Sequence, residues 1–502
     1  FKKTGTDQRG YELKLSYIPG TMERKDIEGN DSDLAKELRA FAEQGYVGDR
    51  YGVDGGFVLR RITDDQDKQK HFFMFGAMGL GGRGAYALDL SKINGNYPAA
   101  APLFDVQNDK NNNKNDSNRV KLGYTVGTPQ IGKTQNGKYA AFLASGYAAK
   151  DIVSSDNTTA LYVYDLKDTL GTPIAKIDVP GGKGGLSSPT LVDKDLDGTV
   201  DIAYAGDRGG NMYRFDLSSD KPSEWAVRTI FEGTKPITSA PAVSRLADKR
   251  VVIFGTGSDL SESDVFNTDE QYIYGIFDDD KANVSVKVKD HMGDGLLKQN
   301  LTQENKTLFL TNNKASGGSA DKGWVVKLRE GERVTVKPTV VLRTAFVTIR
   351  KYNDDGCGAK TAILGINTAD GGALTPRSAR PIVPDHNSVA QYSGHKKTAG
   401  GKSVPIGCMW KNSKTVCPNG YVYDKPVNVR YLDEKKTDDF PVTADGDAGG
   451  SGTFKEGKKP ARNNRCFSGK GVRTLLMNDL DSLDITGPMC GIKRLSWREV
   501  FF

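Results

Sequence analysis

The sequence predicts an all-β protein, and its composition is the first reason. Glycine is abundant, with 58 residues among 502, and only 37% of the residues are hydrophobic. Few segments repeat apolar residues with the period near 3.6 that is typical of amphipathic helices. Such a sequence favours many short strands joined by turns and loops. A chain of this length can still form one large β body, because all-β domains run long.

A three-part repeat along the chain is the second reason. Each unit begins with proline ahead of a β-branched or apolar segment, continues with an apolar strand that usually closes on glycine, and ends with an aromatic strand. That last strand finishes in an acid or an amide. The prolines are Pro129, Pro189, Pro241 and Pro338, and the terminal acids and amide are Asp89, Asp165, Asp216, Asp278 and Asn367. The tight units have a period of about 50 to 60 residues, the size of one four-stranded propeller blade.

This repeat predicts a modified β-propeller with irregular blades and inserted loops, for which we expect about seven blades. One blade cannot bury both of its faces, so neighbouring blades must stack radially. The aromatic and aliphatic residues that alternate along the third strand would form that interface. The period lengthens between Pro241 and Pro338 and again after Asn367, which predicts insertions. Inserted loops are also where binding usually resides.

The clearest helix lies near the start of the chain, at residues 32–43. Leu34, Leu38 and Phe41 share one face of it, and Asp31 or Ser32 is a candidate cap. We expect this helix to pack on the propeller as a short N-terminal decoration. The predicted organisation is therefore an extension at residues 1–45 and a propeller domain at residues 46–502.

The most informative segment is the loop at residues 193–201, which predicts a Ca²⁺ site. Its oxygen donors alternate along the chain: Asp193, Asp195, Asp197 and Asp201 through their carboxylates and Thr199 through its carbonyl. Gly198 is the sixth residue, where a calcium loop turns sharply. Position 12 is Tyr204 rather than the glutamate of an EF-hand, and strand-like segments flank the loop. The larger Ca²⁺ suits a flexible cage of carboxylates better than Mg²⁺ does.

An acidic hairpin that binds no ion is the alternative interpretation of this loop, because aspartate and glycine are common in turns. Four carboxylates within nine residues repel one another strongly without a cation, however. This repulsion favours metal binding.

Charge and hydropathy exclude several other classes of protein. The net charge of +7 is modest, and the lysines are spread among loops rather than clustered on a helix or interleaved with aromatic residues. We therefore expect no nucleic-acid partner. There is neither a signal-peptide pattern nor a run of 18 apolar residues, so we expect no transmembrane segment and interpret the chain as a mature fragment.

The five cysteines all lie in the last third of the chain and lack the spacing of a zinc site. Structural disulfides in an oxidising compartment are the better interpretation. Cys408 with Cys417 would close a short loop and Cys466 with Cys490 a longer one, with Cys357 left over. Sequence alone does not determine this connectivity.

Four motifs point to a family: YGVDG at 51–55, GAMGLGGRGAYALD at 76–89, the acidic loop followed by YAGDRGGNMYRFD at 204–216, and LSWRE at 495–499. Together they resemble the PilC/PilY-type pilus-associated proteins of bacterial type IV pili, specifically their C-terminal half. The resemblance runs from about residue 46 to the end of the chain.

The resemblance implies a β-propeller exported through the periplasm to the cell surface, the pilus tip or the outer membrane. It implies a role in pilus biogenesis and in attachment to host cells, with pilin subunits or other assembly proteins and a host-cell receptor as partners. It also implies that Ca²⁺ in the 193–201 loop regulates pilus extension against retraction. Some relatives engage integrins through an Arg-Gly-Asp tripeptide, which this chain lacks, and this argues against an integrin-type contact.

Two other functions compete with this one. Blades of this kind also resemble quinone-dependent dehydrogenases, which bind PQQ with a calcium ion. The chain has no adjacent cysteine pair, only Trp324 and Trp410 among its four tryptophans fall near repeat strands, and its carboxylates share one local loop. We therefore predict no enzymatic activity and no catalytic residue. The remaining alternative is a passive scaffold in which calcium stiffens one blade and adhesion belongs to a missing N-terminal half.

Overall fold

The structure is a computed structural model, and five four-stranded antiparallel units make up most of the part of the chain that it describes. The described residues are 2–3, 10–21, 24–25, 31–32, 39, 41–45, 52–109, 119–147, 158–280, 285–288, 293, 295–316, 320–382, 395–398, 400–423, 452–455, 472–476 and 482–488. We call the five units blades 1 to 5 in chain order.

The first three blades follow one another closely along the chain. Blade 1 consists of Phe57–Thr63, Gln69–Ala77, Ala85–Asp89 and Pro102–Val106. Blade 2 consists of Gln130–Lys133, Tyr139–Ala144, Ala160–Asp165 and Pro173–Asp178. Blade 3 consists of Thr190–Val192, Ile202–Gly206, Asn211–Asp216 and Ala226–Glu232.

The next two blades contain the long insertions. Blade 4 consists of Ala242–Arg245, Arg250–Gly255, Tyr272–Asp278 and Gly323–Lys327. Blade 5 consists of Thr339–Val341, Thr344–Tyr352, Ala359–Asn367 and Gly420–Tyr423. In blades 2 to 5 the first strand starts directly after a repeat proline, and in all five blades the third strand ends on the predicted acid or amide.

The insertions fall where the repeat period lengthens. Within blade 4, a one-turn helix at Glu262–Val265 precedes the third strand, and strands Val286–Lys287, Leu296–Glu304 and Thr307–Leu310 precede the fourth. Leu296–Glu304 pairs in parallel with the last strand of blade 4, and Thr307–Leu310 pairs with the last strand of blade 5. These two strands join blades 4 and 5 into one ten-stranded sheet.

Short strands complete the described part of the chain. Val286–Lys287 extends blade 3 and Gly452–Lys455 extends blade 1, both in parallel. Arg380–Pro381, Val472–Leu476 and Ser482–Thr486 form a three-stranded sheet. Four two-stranded pairs are Lys2–Lys3 with Tyr11–Glu12, Arg24–Lys25 with Asp31–Ser32, His395–Lys397 with Ser403–Pro405, and Met409–Lys411 with Lys414–Val416.

Apolar clusters fill the spaces between consecutive blades. The third strand of blade 2 shows how: Tyr162 and Tyr164 pack in the cluster shared with blade 1, while Leu161 and Val163 pack in the cluster shared with blade 3. Successive residues of a strand point to opposite faces, so one strand serves two interfaces. Four-stranded units stacked face to face in this way form a β-propeller, and the predicted fold class is confirmed. The expected number of about seven blades stays a prediction.

One predicted disulfide is present in the described residues. Cys408 and Cys417 are bonded and close the hairpin formed by Met409–Lys411 and Lys414–Val416. Cys357 is exposed and carries a free thiol. The second predicted pair, Cys466 with Cys490, lies outside the described residues.

The predicted N-terminal helix is described only in its last part. The chain is helical at residue 39 and at residues 41–44, and Phe41 is 54% exposed there rather than buried. The candidate caps Asp31 and Ser32 lie in a two-residue strand, and Leu34 and Leu38 lie outside the described residues. Packing of this helix on the propeller stays a prediction. Among the residues described, no helix is long and apolar enough to cross a membrane.

Candidate metal centre

The acidic loop connects the first two strands of blade 3. This position agrees with the prediction from sequence that strands flank the loop on both sides. Those strands pair in antiparallel register, with Val192 opposite Ile202 at the base of the loop. Gly198 has a φ of +96°, a conformation that glycine adopts without the steric cost of a side chain. The sharp turn expected at the sixth loop position is therefore present.

Three of the predicted ligands lie together. One carboxylate oxygen each from Asp193, Asp195 and Asp197 lies within 4.8 Å of the other two. Asp193 is buried, with 1% of its surface exposed, whereas Asp195 and Asp197 are exposed. Carboxylate oxygens are the donors that Ca²⁺ prefers, so the donor set fits this ion.

Hydrogen bonds wrap the loop around Asp193. Its Oδ1 accepts the N–H of Leu196 at 2.6 Å and its Oδ2 accepts the N–H of Gly198 at 2.8 Å. Thr199 donates to Asp197 Oδ1 through its N–H at 2.7 Å and its hydroxyl at 2.6 Å. An ionised carboxylate offers about four lone-pair sites, so these contacts orient the oxygens and leave acceptor capacity for a cation.

Asp201 is not part of the group of three carboxylates. Asp201 is 3% exposed, and its Oδ2 accepts the N–H of Lys194 at 2.8 Å. Its Oδ1 accepts Gln135 Nε2 at 3.1 Å. The structure thus holds Asp201 at the base of the loop, and its role as a ligand, like that of the Thr199 carbonyl, stays a prediction.

Both buried carboxyl groups have raised pKa values. Burial raises the pKa of Asp193 to about 7, and the nearby charges of Asp197 and Asp201 act in the same direction. Burial also raises the pKa of Asp201 to about 6, together with the charges of Asp195 and Asp197. Backbone hydrogen bonds from the loop oppose these shifts. A cation in the loop would supply the missing positive charge.

Sequence reasoning missed two residues that hold this loop. Gln135, in the first hairpin of blade 2, binds Asp201, and Arg245, at the end of the first strand of blade 4, donates from Nη1 to the Lys194 carbonyl at 3.0 Å. They lie 66 and 51 residues away from their partners along the chain. No local pattern identifies such residues, because the blade stacking alone brings them to the loop.

We expect the stability of the calcium-free protein to decrease as the pH rises from about 4 to about 7. Asp193 and Asp201 have folded-state pKa values of about 7 and about 6, above the ordinary value of 3.8. The folded protein therefore keeps protons that the unfolded chain has released, and this contribution is lost as the pH passes the folded pKa values. Urea unfolding in a chelating buffer at several pH values measures the slope.

The control is the double variant Asp193→Asn, Asp201→Asn, which does not titrate at these two positions. Its stability should fall less steeply over the same pH range, since the other carboxyl groups are common to both proteins. Equal slopes for the two proteins would contradict the prediction.

Comparisons with known proteins agree with this architecture. The family model described as the PilY1 β-propeller domain matches residues 1–314. The type IV pilus biogenesis factor PilY1 of Pseudomonas aeruginosa is 26% identical over 420 residues, which cover 70% of this chain and 34% of that protein. A homologue of PilY1 from Xylella fastidiosa is 28% identical over 256 residues, which cover 45% of this chain and 16% of that protein. The chain thus spans about a third of the length of the Pseudomonas relative.

A solved structure shows the same fold. The crystal structure of the Pseudomonas aeruginosa PilY1 C-terminal domain superposes with a TM-score of 0.60 at 21% sequence identity. The match covers 84% of this chain and 88% of that chain. The likeness therefore extends well beyond the acidic loop and includes most of the propeller.

Proposed function

This chain belongs to the PilY1 β-propeller family, and from that membership we propose that it is a calcium-binding domain that supports type IV pilus biogenesis. The observation that carries the calcium part of the proposal is the group formed by Asp193, Asp195 and Asp197, whose oxygens lie within 4.8 Å of one another. The pilus part is supported by relatives whose names describe type IV pilus biogenesis factors.

The ligands in this proposal are the three grouped aspartates with Asp201 and the Thr199 carbonyl. A bound Ca²⁺ would neutralise most of the four negative charges of the loop. The buried Asp193 orders the loop from inside by accepting backbone N–H groups, whereas Asp195 and Asp197 bring their charge to the surface. Occupancy of the loop would then favour one ordered surface over a mobile and repulsive one.

That ordered surface would contact a pilin subunit or another pilus assembly protein. The contact would favour extension of the pilus over its retraction. We place the protein at the cell surface, the pilus tip or the periphery of the outer membrane, and we include attachment to a host-cell receptor in its function. The propeller at residues 46–502 would carry these activities, with residues 1–45 as an extension. A passive scaffold remains the competing proposal, and it predicts no effect of the loop on pilus assembly.

Calcium titration of the chelator-stripped protein by calorimetry tests the metal site. We expect one site in the native protein and an affinity roughly a hundredfold lower for Asp197→Ala, because each carboxylate removed lowers ligand number and charge. Asp165→Ala is the matched control, since Asp165 ends the third strand of blade 2 and should leave the affinity unchanged. No binding by the native protein would overturn the proposal.

The same variants test the pilus function in bacteria that carry this domain in its complete protein. Asp197→Ala should change the number of surface pili, and Asp165→Ala should not. Normal pilus numbers with Asp197→Ala would favour the passive scaffold.

A further inference from the structure

The calcium loop of blade 3 is bonded to blade 2 at two points. The N–H of Val200 donates to the carbonyl of Lys133 at 2.8 Å, and Gln135 Nε2 donates to Asp201 Oδ1 at 3.1 Å. Val200 is also packed tightly here, since a β-carbon on Gly132 would lie 2.4 Å from its side chain. The end of the loop is therefore seated on the first hairpin of blade 2.

The beginning of the loop is bonded to blade 4. Arg245 Nη1 donates to the Lys194 carbonyl at 3.0 Å, and the N–H of the same lysine donates to Asp201 Oδ2 at 2.8 Å. Lys194 thus links Arg245 to the carboxylate that closes the loop. Each oxygen of Asp201 is held, one directly by blade 2 and the other through a residue fixed by blade 4.

We infer that Gln135 and Arg245 are positioning residues that set the calcium affinity of the loop from the two neighbouring blades. This inference rests on the proposed function, because it concerns the same site. Neither residue is one of the predicted ligands. Some residues do not touch the metal but hydrogen-bond to its ligands and orient them. Removing such a residue typically lowers the metal affinity by about 10- to 100-fold.

The chemistry of Gln135 suits this role. Its side-chain amide is a neutral donor, so it fixes the direction of the Asp201 carboxylate without neutralising its charge. A lysine or arginine at this position would compete with the cation for that carboxylate. Arg245 is charged, and its contact with the loop is to a backbone carbonyl, so it fixes the main chain beside the ligands.

A consequence is that calcium binding should also stabilise parts of blades 2 and 4. Cation binding that orders Asp201 and Lys194 also strengthens their contacts with the first hairpins of blades 2 and 4. Calcium should then slow amide hydrogen exchange in those two hairpins, because local opening there requires breaking bonds to the loop.

The test compares calcium titrations of Gln135→Met and Arg245→Met with the native protein. Both side chains are partly exposed, so we expect both variants to fold. Each should bind calcium about 10- to 100-fold more weakly. Arg245→Lys, which keeps the charge and a donor, should recover part of the affinity.

The matched controls are Lys138→Met and Lys249→Met. Lys138 follows Gln135 in the same hairpin but pairs with Asp165 at 3.1 Å, and Lys249 lies near Arg245 with its ammonium 4.0 Å from the ring centre of Phe277. Each control removes one positive charge, as Arg245→Met does, without touching the loop contacts described above. Calcium affinity should stay at the native value in both.

Hydrogen exchange supplies a second measurement that a purely structural role would not affect. Calcium should slow exchange in the hairpins of blades 2 and 4 of the native protein and less so in Gln135→Met and Arg245→Met. If both variants bound calcium as tightly as the native protein does, the positioning role would be wrong and the proposed function would be unaffected. Absence of calcium binding by the native protein would overturn both.

Discussion

Replacing Trp324 with alanine is expected to lower the free energy of unfolding by about 3 to 5 kcal/mol. The indole is completely buried in the cluster between blades 4 and 5. It fills space that two glycines leave: a β-carbon on Gly275 would lie 2.1 Å from the ring, and one on Gly371 would lie 2.6 Å from it. Its Nε1 donates to the Thr368 carbonyl at 2.9 Å. Alanine would therefore leave both a cavity and an unpaired buried carbonyl.

Urea unfolding followed by circular dichroism measures this loss, and Trp410→Ala is the control. Trp410 is 40% exposed, with the Lys402 ammonium 5.6 Å from its ring centre. Its removal should cost about 1 kcal/mol or less, as for most surface positions. Equal losses in the two variants would contradict the assignment of Trp324 to the packing between blades.

The repeat was predictable from sequence because its chemistry is local. Asp89, Asp165, Asp216 and Asn367 each end a third strand and accept the backbone N–H two residues further on, at distances of 2.9 to 3.1 Å. Aspartate and asparagine suit this position because their short side chains hydrogen-bond to the backbone two residues further on. The alternation of apolar residues between them then determines which face of a blade each side chain reaches.

Contacts between distant segments were not predictable in the same way. Nothing local indicates that Gly452–Lys455 pairs with the first strand of blade 1, or that Thr307–Leu310 pairs with blade 5. Strand pairing depends on which edges remain open after the blades have stacked. The same limit applies to the candidate site: the aspartates that alternate in sequence come together, but Gln135 and Arg245 reach them through the fold.

The position of Asp278 was predictable from sequence, but its contacts were not. The repeat predicted an acid at this position, and the third strand of blade 4 ends there. The structure places it in a buried ionic network rather than in a turn that caps the strand. Asp278 is 3% exposed, and it faces basic side chains of both blade 3 and blade 4.

Replacing Asp278 with alanine is expected to destabilise the protein by about 3 to 5 kcal/mol, because it removes the buried carboxylate that three arginines share, two of which are themselves largely buried. Oδ1 lies 2.9 Å from Arg228 Nη2, and Oδ2 lies 3.0 Å from Arg214 Nε, an ionic contact without the alignment of a hydrogen bond. Oδ2 also accepts the Tyr204 hydroxyl and lies 3.8 Å from Arg250 Nη2. Urea unfolding at neutral pH measures the effect.

Asp280→Ala is the control that separates burial from charge. Asp280 pairs with two of the same arginines, Arg214 at 2.9 Å and Arg250, but its side chain is 44% exposed. Water screens an exposed pair, so this variant should lose about 1 kcal/mol or less. A loss for Asp278→Ala no larger than that for Asp280→Ala would mean that the buried network adds nothing to the stacking of blades 3 and 4. A much larger loss would mean that the junction of these blades depends on Asp278 and that an acid at the end of a repeat strand can stabilise a junction between blades as well as a turn.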